Sequence, residues 1–379
     1  MASTLKIEVT AGDILSALQA FLKSVLAQET ISALLVPQHL PMKDRVMPAL
    51  VSDPAKLAAA DPLAPAFPLN AARLAARLTR HAAGGRIAAV LRPCEIRALV
   101  ELVKLKQAST EDLLLIGIDC LGAFTNRDYT RYTAKTGAEA TTAFYRSILS
   151  EGQRPPDDFD LAPACRVCEH PVPEGADILI GLYGAAPGGP LWAEARTPKG
   201  KAFLEQLGAE AAEAPAGRSG AVAELIAARS ARRDEMFAAT RQQTDSLEKL
   251  SAYLAACVNC YNCRVACPVC YCRECVFVTD VFDHEPFQYL KWAHRKGAVK
   301  MPTDTSFFHL TRLAHISTAC VGCGQCSNAC PNDIAVMELF RSVSHRTQAA
   351  FKYEAGRSLD EPPPLAVFKE DEFGEVTGL

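Results

Sequence analysis

The chain of 379 residues has no excess of charge. Its 40 Lys and Arg stand against 43 Asp and Glu, a formal net charge of −3. That balance leaves no basic footprint, so a nucleic-acid partner is not expected. Long apolar runs are also missing. The longest strongly apolar stretch, Leu113–Ile118, is far too short to cross a membrane, so direct insertion is not expected and attachment would need a partner protein. Residues 1–9 contain no apolar segment of signal-peptide length. No G-x-G-x-x-G follows a strand-like run and no P-loop occurs, which removes the usual signatures of dinucleotide and triphosphate binding. Hydrophobic residues still make up 49%, enough for the cores of two or three domains.

Cysteine is abundant, at 15 residues. An odd number in metal-type spacing argues against a disulfide framework and for the cytoplasm, where thiols stay reduced. Eight of the cysteines repeat one pattern. Cys257, Cys260, Cys263 and Cys267 precede Pro268; Cys320, Cys323, Cys326 and Cys330 precede Pro331. Both read C-x2-C-x2-C-x3-C-P, the run that holds [4Fe–4S] clusters in bacterial ferredoxins. Zinc sites typically use two C-x2-4-C pairs, so the doubled 2-2-3 spacing points to iron–sulfur clusters and one-electron transfer. The fourth cysteine of such a run usually serves the other cluster. The expected sets are therefore crossed: Cys257, Cys260 and Cys263 with Cys330, and Cys320, Cys323 and Cys326 with Cys267. Gly322 and Gly324 allow close backbone approach in the second motif, and the first has Asn259 and Asn262 where the second has Gly322 and Gln325.

The 52 residues 268–319 separate the motifs, far more than in a compact two-cluster ferredoxin. This insert opens with Cys270, Cys272 and Cys275. Their x1-x2 spacing matches no standard cluster run, so they read as auxiliary thiols; as a further site they would need one more ligand. His284, His294, His309 and His315 match no metal spacing and read as surface or satisfied core residues. Tyr289 and Trp292 suit either a partner-facing aromatic patch or core.

The first half predicts an α/β domain with a partly parallel sheet, and the second a ferredoxin-like α+β module. Strands are expected at 31–36, ending at Pro37, and at 87–91, 113–118 and 178–182. Helices are expected at 69–81, ended by Gly84-Gly85, and at 95–107. The glycine-rich loop 184–190 reads as a surface turn. Residues 208–220 read as a linker, and 221–240 as a helix with Arg and Glu outermost. Asp245 with Glu248 resembles a capping box for a helix running to about Ala256. The domain division is 1–207, a linker and helix at 208–245, the cluster module at 246–342, and a polar, partly ordered tail at 343–379.

Four cysteines remain, in the α/β half. Cys94 follows the strand 87–91 and Cys120 follows the strand 113–118, with a helix between them. Such a βαβ unit has parallel strands and a right-handed crossover. Both strand ends then face the carboxyl edge, where open α/β sheets bind ligands. Cys94 and Cys120 are expected to be neighbours despite 26 residues of separation. Cys165 and Cys168 precede the strand 178–182 and can loop over the same edge. On the residues alone two readings stand: isolated buried thiols with a chance C-x2-C, or a further four-thiolate [4Fe–4S] site.

Several segments resemble a known family. Arg92-Pro93-Cys94-Glu95-Ile96, Ile116-Gly117-Ile118-Asp119-Cys120, and Cys165-x2-Cys168 followed by Ala176-Asp177-Ile178-Leu179-Ile180-Gly181 are similar to segments of the beta subunits of coenzyme F420-reducing hydrogenases and formate dehydrogenases. Residues 51–74 add a weaker similarity. The resemblance spans about residues 30–190, with the ferredoxin-type module as a common companion. It implies a flavoprotein that binds FAD beside an iron–sulfur cluster held by Cys94, Cys120, Cys165 and Cys168. It implies an oxidoreductase subunit that couples a two-electron carrier to one-electron transfer. The implied carrier is a deazaflavin, ferredoxin or nicotinamide. The implied partner is the catalytic subunit of a hydrogenase, formate dehydrogenase or heterodisulfide reductase-like enzyme. The competing expectations are a flavin-free polyferredoxin wire and a zinc or redox-sensing protein.

Overall fold

The computed structural model describes residues 4–41, 45–80, 85–150, 154–156, 159–185, 188–208, 213–272, 274–279, 285–296 and 305–367. The chain divides into two compact units, residues 1–233 with 356–361, and residues 234–355 with 362–379.

The first unit is built on one seven-stranded sheet: β1 (Thr4–Ile7), β2 (Ile31–His39), β3 (Val46–Val51), β4 (Arg86–Leu91), β5 (Leu113–Ile118), β6 (Ile178–Gly181) and β7 (Leu191–Ala195). Their order is β1-β7-β6-β5-β4-β2-β3. The four inner strands β6, β5, β4 and β2 run parallel, and the outer strands pair antiparallel. The inner strands read as apolar runs because both faces are covered; all six residues of β5 are buried.

Helices α1 (Ile14–Leu26), α2 (Ala72–Leu78), α3 (Pro93–Lys104), α4 (Asn126–Thr136), α5 (Ala140–Ser150), α6 (Pro163–Arg166) and α7 (Pro198–Leu207) belong to this unit. In α1, residues Ile14, Leu18, Phe21, Leu22 and Val25 form the buried stripe that helical periodicity demands. In α3, Pro93 fixes the first turn, and Glu95 reaches back to accept from the Arg92 N–H at 2.8 Å.

Several element limits differ from the expectations. β2 runs past Pro37 to His39, because its pairing with β4 stops at Leu35 and the residues beyond pair with β3 alone. The missing N–H is tolerated where only one neighbour remains. Helix α2 is shorter than 69–81, and residues 81–84, including the proposed Gly84 stop, lie outside the described residues. In the 184–190 turn, Gly184 has φ +79°, and a Cβ there would stand 2.7 Å from the Arg218 Cα; residues 186 and 187 are outside the described set. The linker ends early, at Arg218, where α8 (Arg218–Thr244) begins.

Helices α9 (Leu247–Tyr253), α10 (Asn262–Ala266), α11 (Pro286–Lys296), α12 (Thr305–Ile316), α13 (Gln325–Asn328) and α14 (Val336–Ala350) form the second unit, whose described residues contain helices and turns and no strand. The cap of α9 is Ser246, whose hydroxyl accepts from the Lys249 N–H at 3.2 Å; Asp245, expected in that role, pairs with Lys249 Nζ at 2.8 Å. In the expected tail, the described residues 343–367 begin as helix. α14 continues to Ala350, and Tyr353 and Ala355 are buried. In the first unit, Gly356 N–H donates to Glu101 Oε1 at 2.7 Å.

Candidate functional site

In the second unit, each cysteine loop leads into a short helix, α10 or α13. The two loops share a backbone pattern. Asn259 (φ 52°) and Tyr261 (φ 60°) in the first motif match Gly322 (φ 68°) and Gly324 (φ 79°) in the second. All four are left-handed, which turns the chain tightly between successive cysteines. For Tyr261 that conformation costs about 1–3 kcal/mol. It is held by packing: the ring lies 4.8 Å from Phe308 and 6.2 Å from Phe277. Asn259 Oδ1 accepts from the Thr305 hydroxyl at 2.8 Å.

The eight motif cysteines divide between two cavities. One is lined by Cys257, Cys260, Cys263 and Cys330 with Phe308 and His309. The other is lined by Cys267, Cys320, Cys323 and Cys326 with Arg312 and Phe340. Each motif thus contributes three thiols to one cavity and its Cys-Pro thiol to the other, the division that crossed ligand sets require. Among the described residues no group of three or more His, Cys, Asp or Glu converges closely enough for a single metal ion. The quartets instead surround cavities, and an all-sulfur donor set around an apolar cavity suits a cuboidal iron–sulfur cluster. No disulfide joins any of the fifteen cysteines.

Burial pushes Cys267 up to about 12, raises Cys263, and lifts Cys326 well above the ordinary thiol range. Arg312 of α12 opposes this, with Nη1 3.1 Å from Cys263 Sγ. On the same helix, His309 Nε2 lies 3.4 Å from Cys257 Sγ. Burial, aided by the charge of Arg312, pushes His309 down to about 4, so its ring is neutral at physiological pH. His309 was expected at the surface or as satisfied core; it is buried against a motif cysteine, and its Nδ1 has no protein partner. His294 and His315 are exposed, and His284 lies outside the described residues, as does the Tyr289 side chain. Cys270 is raised by burial, lowered by Arg312, and raised again by Cys272 and Cys275. The three extra thiols therefore stand near one another, with Cys272 exposed.

In the first unit, the parallel pairing of β4 and β5 sets Leu91 opposite Gly117. Cys94 and Cys120 each lie three residues beyond that pair, so both emerge at the carboxyl edge. Cys120 is anchored through its N–H to Pro171 O at 2.8 Å and its carbonyl to the Tyr183 hydroxyl at 2.7 Å. The loop bearing Cys165 and Cys168 is tied down by Ala162 N–H donating to Ala123 O at 2.7 Å. Burial raises Cys120 and pushes Cys165 up to about 12; Cys168 adds to both shifts, and Cys120 adds to that of Cys165. Three of the four thiols are thereby within electrostatic reach. Two cations face them. Arg92, the cap of α3, lowers Cys120, and Arg229 of α8 stands near Tyr183 and the same three thiols. The expectation that the Arg residues of this helix lie outermost fails at Arg229, which is 5% exposed.

Asp119 holds this edge together. Its carboxylate accepts from Leu182 N at 2.8 Å, Tyr183 N at 3.1 Å and Arg218 Nη2 at 2.9 Å. Beside Cys120 is a pocket lined by Pro37, Leu63, Val90, Leu91, Arg92 and Ile118 among others. Arg92 is braced over the Phe67 ring at 5.0 Å and by bonds to the carbonyls of Ala64 and Ala66.

Arg92, Arg229, His309 and Arg312 escaped the reading by motif. The signal available for the last two was a polar pair on the apolar stripe Thr305, Phe308, Leu313 and Ile316 of α12.

Residues 84–215 match the family described as the C terminus of the coenzyme F420 hydrogenase/dehydrogenase beta subunit, and residues 253–334 match a 4Fe-4S dicluster domain. The F420-dependent formate dehydrogenase subunit beta of Methanocaldococcus jannaschii is 26% identical over 309 residues, covering 76% of this chain and 78% of that protein. The F420-dependent formate dehydrogenase 1 subunit beta of Methanococcus maripaludis is 26% identical over 313 residues, covering 74% and 75%. Among solved structures, a chain of the F420-reducing [NiFe] hydrogenase complex from Methanosarcina barkeri aligns with a TM-score of 0.47 and 14% identity, over 65% of this chain and 93% of that one.

Proposed function

We propose that the chain is a member of the coenzyme F420 hydrogenase/dehydrogenase beta-subunit family, an iron–sulfur electron-transfer subunit of an oxidoreductase that couples a flavin-linked two-electron carrier to one-electron transfer through three [4Fe–4S] clusters. The observation that carries this reading is the sorting of the eight motif cysteines into two four-thiol cavities. In the reading, Cys257, Cys260, Cys263 and Cys330 hold one cluster, and Cys320, Cys323, Cys326 and Cys267 hold the second. Cys94, Cys120, Cys165 and Cys168 hold the third, at the sheet edge.

FAD is assigned to the cavity beside Cys120. Its walls are largely apolar, and Arg92 supplies a fixed cation there. When bound, flavin exchanges two electrons with a carrier, and the clusters pass them singly. The chain's own part is positioning and electrostatics. Asp119 fixes the edge, and Arg92 and Arg229 offset the negative charge that four thiolates bring to a buried site.

Coenzyme F420 is proposed as the carrier and a formate dehydrogenase catalytic subunit as the partner, because both relatives carry those words in their names. Reduced thiols in this number suit the cytoplasm. Among the described residues no helix is long and apolar enough to cross a membrane.

The test is an iron and flavin count on anaerobically prepared protein. About twelve irons per chain are expected, about four for each cluster, with one FAD. About eight irons would remove the sheet-edge cluster, and about sixteen would bring in Cys270, Cys272 and Cys275. Absence of a flavin absorbance band would leave a pure electron wire, and zinc in place of iron would overturn the reading. Mixing with reduced F420, reduced ferredoxin or NADH then identifies the carrier by which one bleaches the flavin.

A further inference from the structure

The insert between the two motifs brings one buried cation to both cavities. Arg312, on α12, is 3% exposed. Its Nη1 lies 3.1 Å from Cys263 Sγ and its Nη2 lies 3.2 Å from the Cys263 carbonyl, on the side of the first quartet. The same residue lines the cavity of the second quartet with Cys267, Cys320, Cys323 and Cys326. The groups that act electrostatically on it are thiols: Cys263, Cys267, Cys326 and Cys270. Among the described residues no carboxylate pairs with it. Its planar group lies 4.8 Å from the Phe340 ring and 5.5 Å from the Phe308 ring. Its Nε is buried with no acceptor in the protein.

A guanidinium removed from water without a carboxylate is strongly unfavourable unless other negative charge faces it. Among the described residues that charge comes from the two cysteine quartets and what they hold, with Cys270 beside them. The unpaired Nε marks the same need, since a buried N–H requires an acceptor. Adding an electron to a cluster adds negative charge beside this fixed cation. The cation therefore favours the reduced form over the oxidised form, and hydrogen bonds to ligand sulfur act in the same direction. A cation shared by two clusters also offsets their mutual repulsion when both are reduced.

We propose that Arg312 sets the potentials of both ferredoxin-type clusters, acting most strongly on the cluster of Cys257, Cys260, Cys263 and Cys330. This rests on the cluster assignments above. It also gives the long insert a role: α12 carries a charge into a space that the cysteine loops alone do not fill. Arginine suits the role because its charge does not titrate and its fork reaches both Cys263 atoms at once.

The experiment is a redox titration of the full chain followed by EPR, on the parent, Arg312→Gln and Arg312→Lys. In Arg312→Gln the reduced-to-oxidised ratio of the first cluster at a fixed potential is expected to fall at least tenfold, about 59 mV for a one-electron couple. The second cluster is expected to fall by a smaller factor. Arg312→Lys keeps the charge and loses the fork, so the first cluster is expected to fall and the second to stay near the parental ratio. Both cluster signals present with unchanged ratios in either variant overturn the inference alone. Equal falls of both clusters in Arg312→Lys also overturn it, because a general loosening would produce that pattern. A parent with no [4Fe–4S] signal overturns the cluster assignments and this inference together.

Discussion

Cys267 and Cys330 are the residues through which the two motifs exchange thiols, and they offer a test that discriminates sharply. Cys267 follows Cys263 closely in sequence, yet it lines the cavity of Cys320, Cys323 and Cys326. Cys330 lines the cavity of Cys257, Cys260 and Cys263. Replacing one of four thiols by alanine removes the corner ligand of one cluster and leaves the other quartet complete. With about twelve irons in the parent, Cys257→Ala and Cys330→Ala each are expected to leave about eight. The double variant Cys257→Ala/Cys330→Ala also leaves about eight, since both changes strike one cluster. Cys257→Ala/Cys267→Ala leaves about four, since they strike two. The logic is that of a double-mutant cycle, with non-additivity reporting a shared site. Iron and acid-labile sulfide analysis gives the count, and EPR of the reduced protein identifies which cluster signal is lost. The reverse pattern, with the 257/330 pair falling to about four and the 257/267 pair holding at about eight, would refute the crossed assignment and the geometry behind it.

Other expectations concern the scaffold. In Gly117→Ala the new Cβ would stand 2.3 Å from Pro173 Cβ, so a loss of about 1–3 kcal/mol is expected as a lower denaturant midpoint at unchanged slope. An unmoved midpoint would contradict the packing. Asp119→Ala strands the buried N–H groups of Leu182 and Tyr183 and unpairs Arg218, a cost of about 3–5 kcal/mol in thermal unfolding; parental stability in that variant would show that Asp119 does not hold the edge. Asp13→Ala removes the cap of α1 and costs about 1 kcal/mol near neutral pH. The Ser16 hydroxyl and N–H hold the Asp13 carboxyl below its ordinary 3.8, so its contribution is present above that value and lost as pH falls through the lower folded value. The gap between Asp13→Ala and parent is therefore expected to close in acid, and a gap that widens there would reverse the assignment.

The inner strands were legible because β4, β5 and β6 are continuous apolar runs buried on both faces. The outer strands β1, β3 and β7 were not. β3 mixes half-buried and exposed positions around Pro48, and β1 and β7 are too short to show a period. The misplaced cap of α9 shows a similar limit. Asp245 and Ser246 are both good capping residues, and only the backbone turn decides which side chain meets the Lys249 N–H.

The cysteine spacing by itself determined the class of cofactor, because ligand reach within a loop is set by a few covalent bonds. The apolar strand pattern likewise placed Cys94 and Cys120 on one edge, since a βαβ unit leaves little freedom over where two parallel strands end. Only the tertiary structure decided which charges face those thiols. Arg229 comes from a helix far along the chain from its thiols and nothing local marks it, while Arg312 is marked only by its place on the buried stripe of α12. Their roles follow from packing that buries each guanidinium among sulfur atoms, where a low dielectric makes one charge count for more than its position in the sequence reveals.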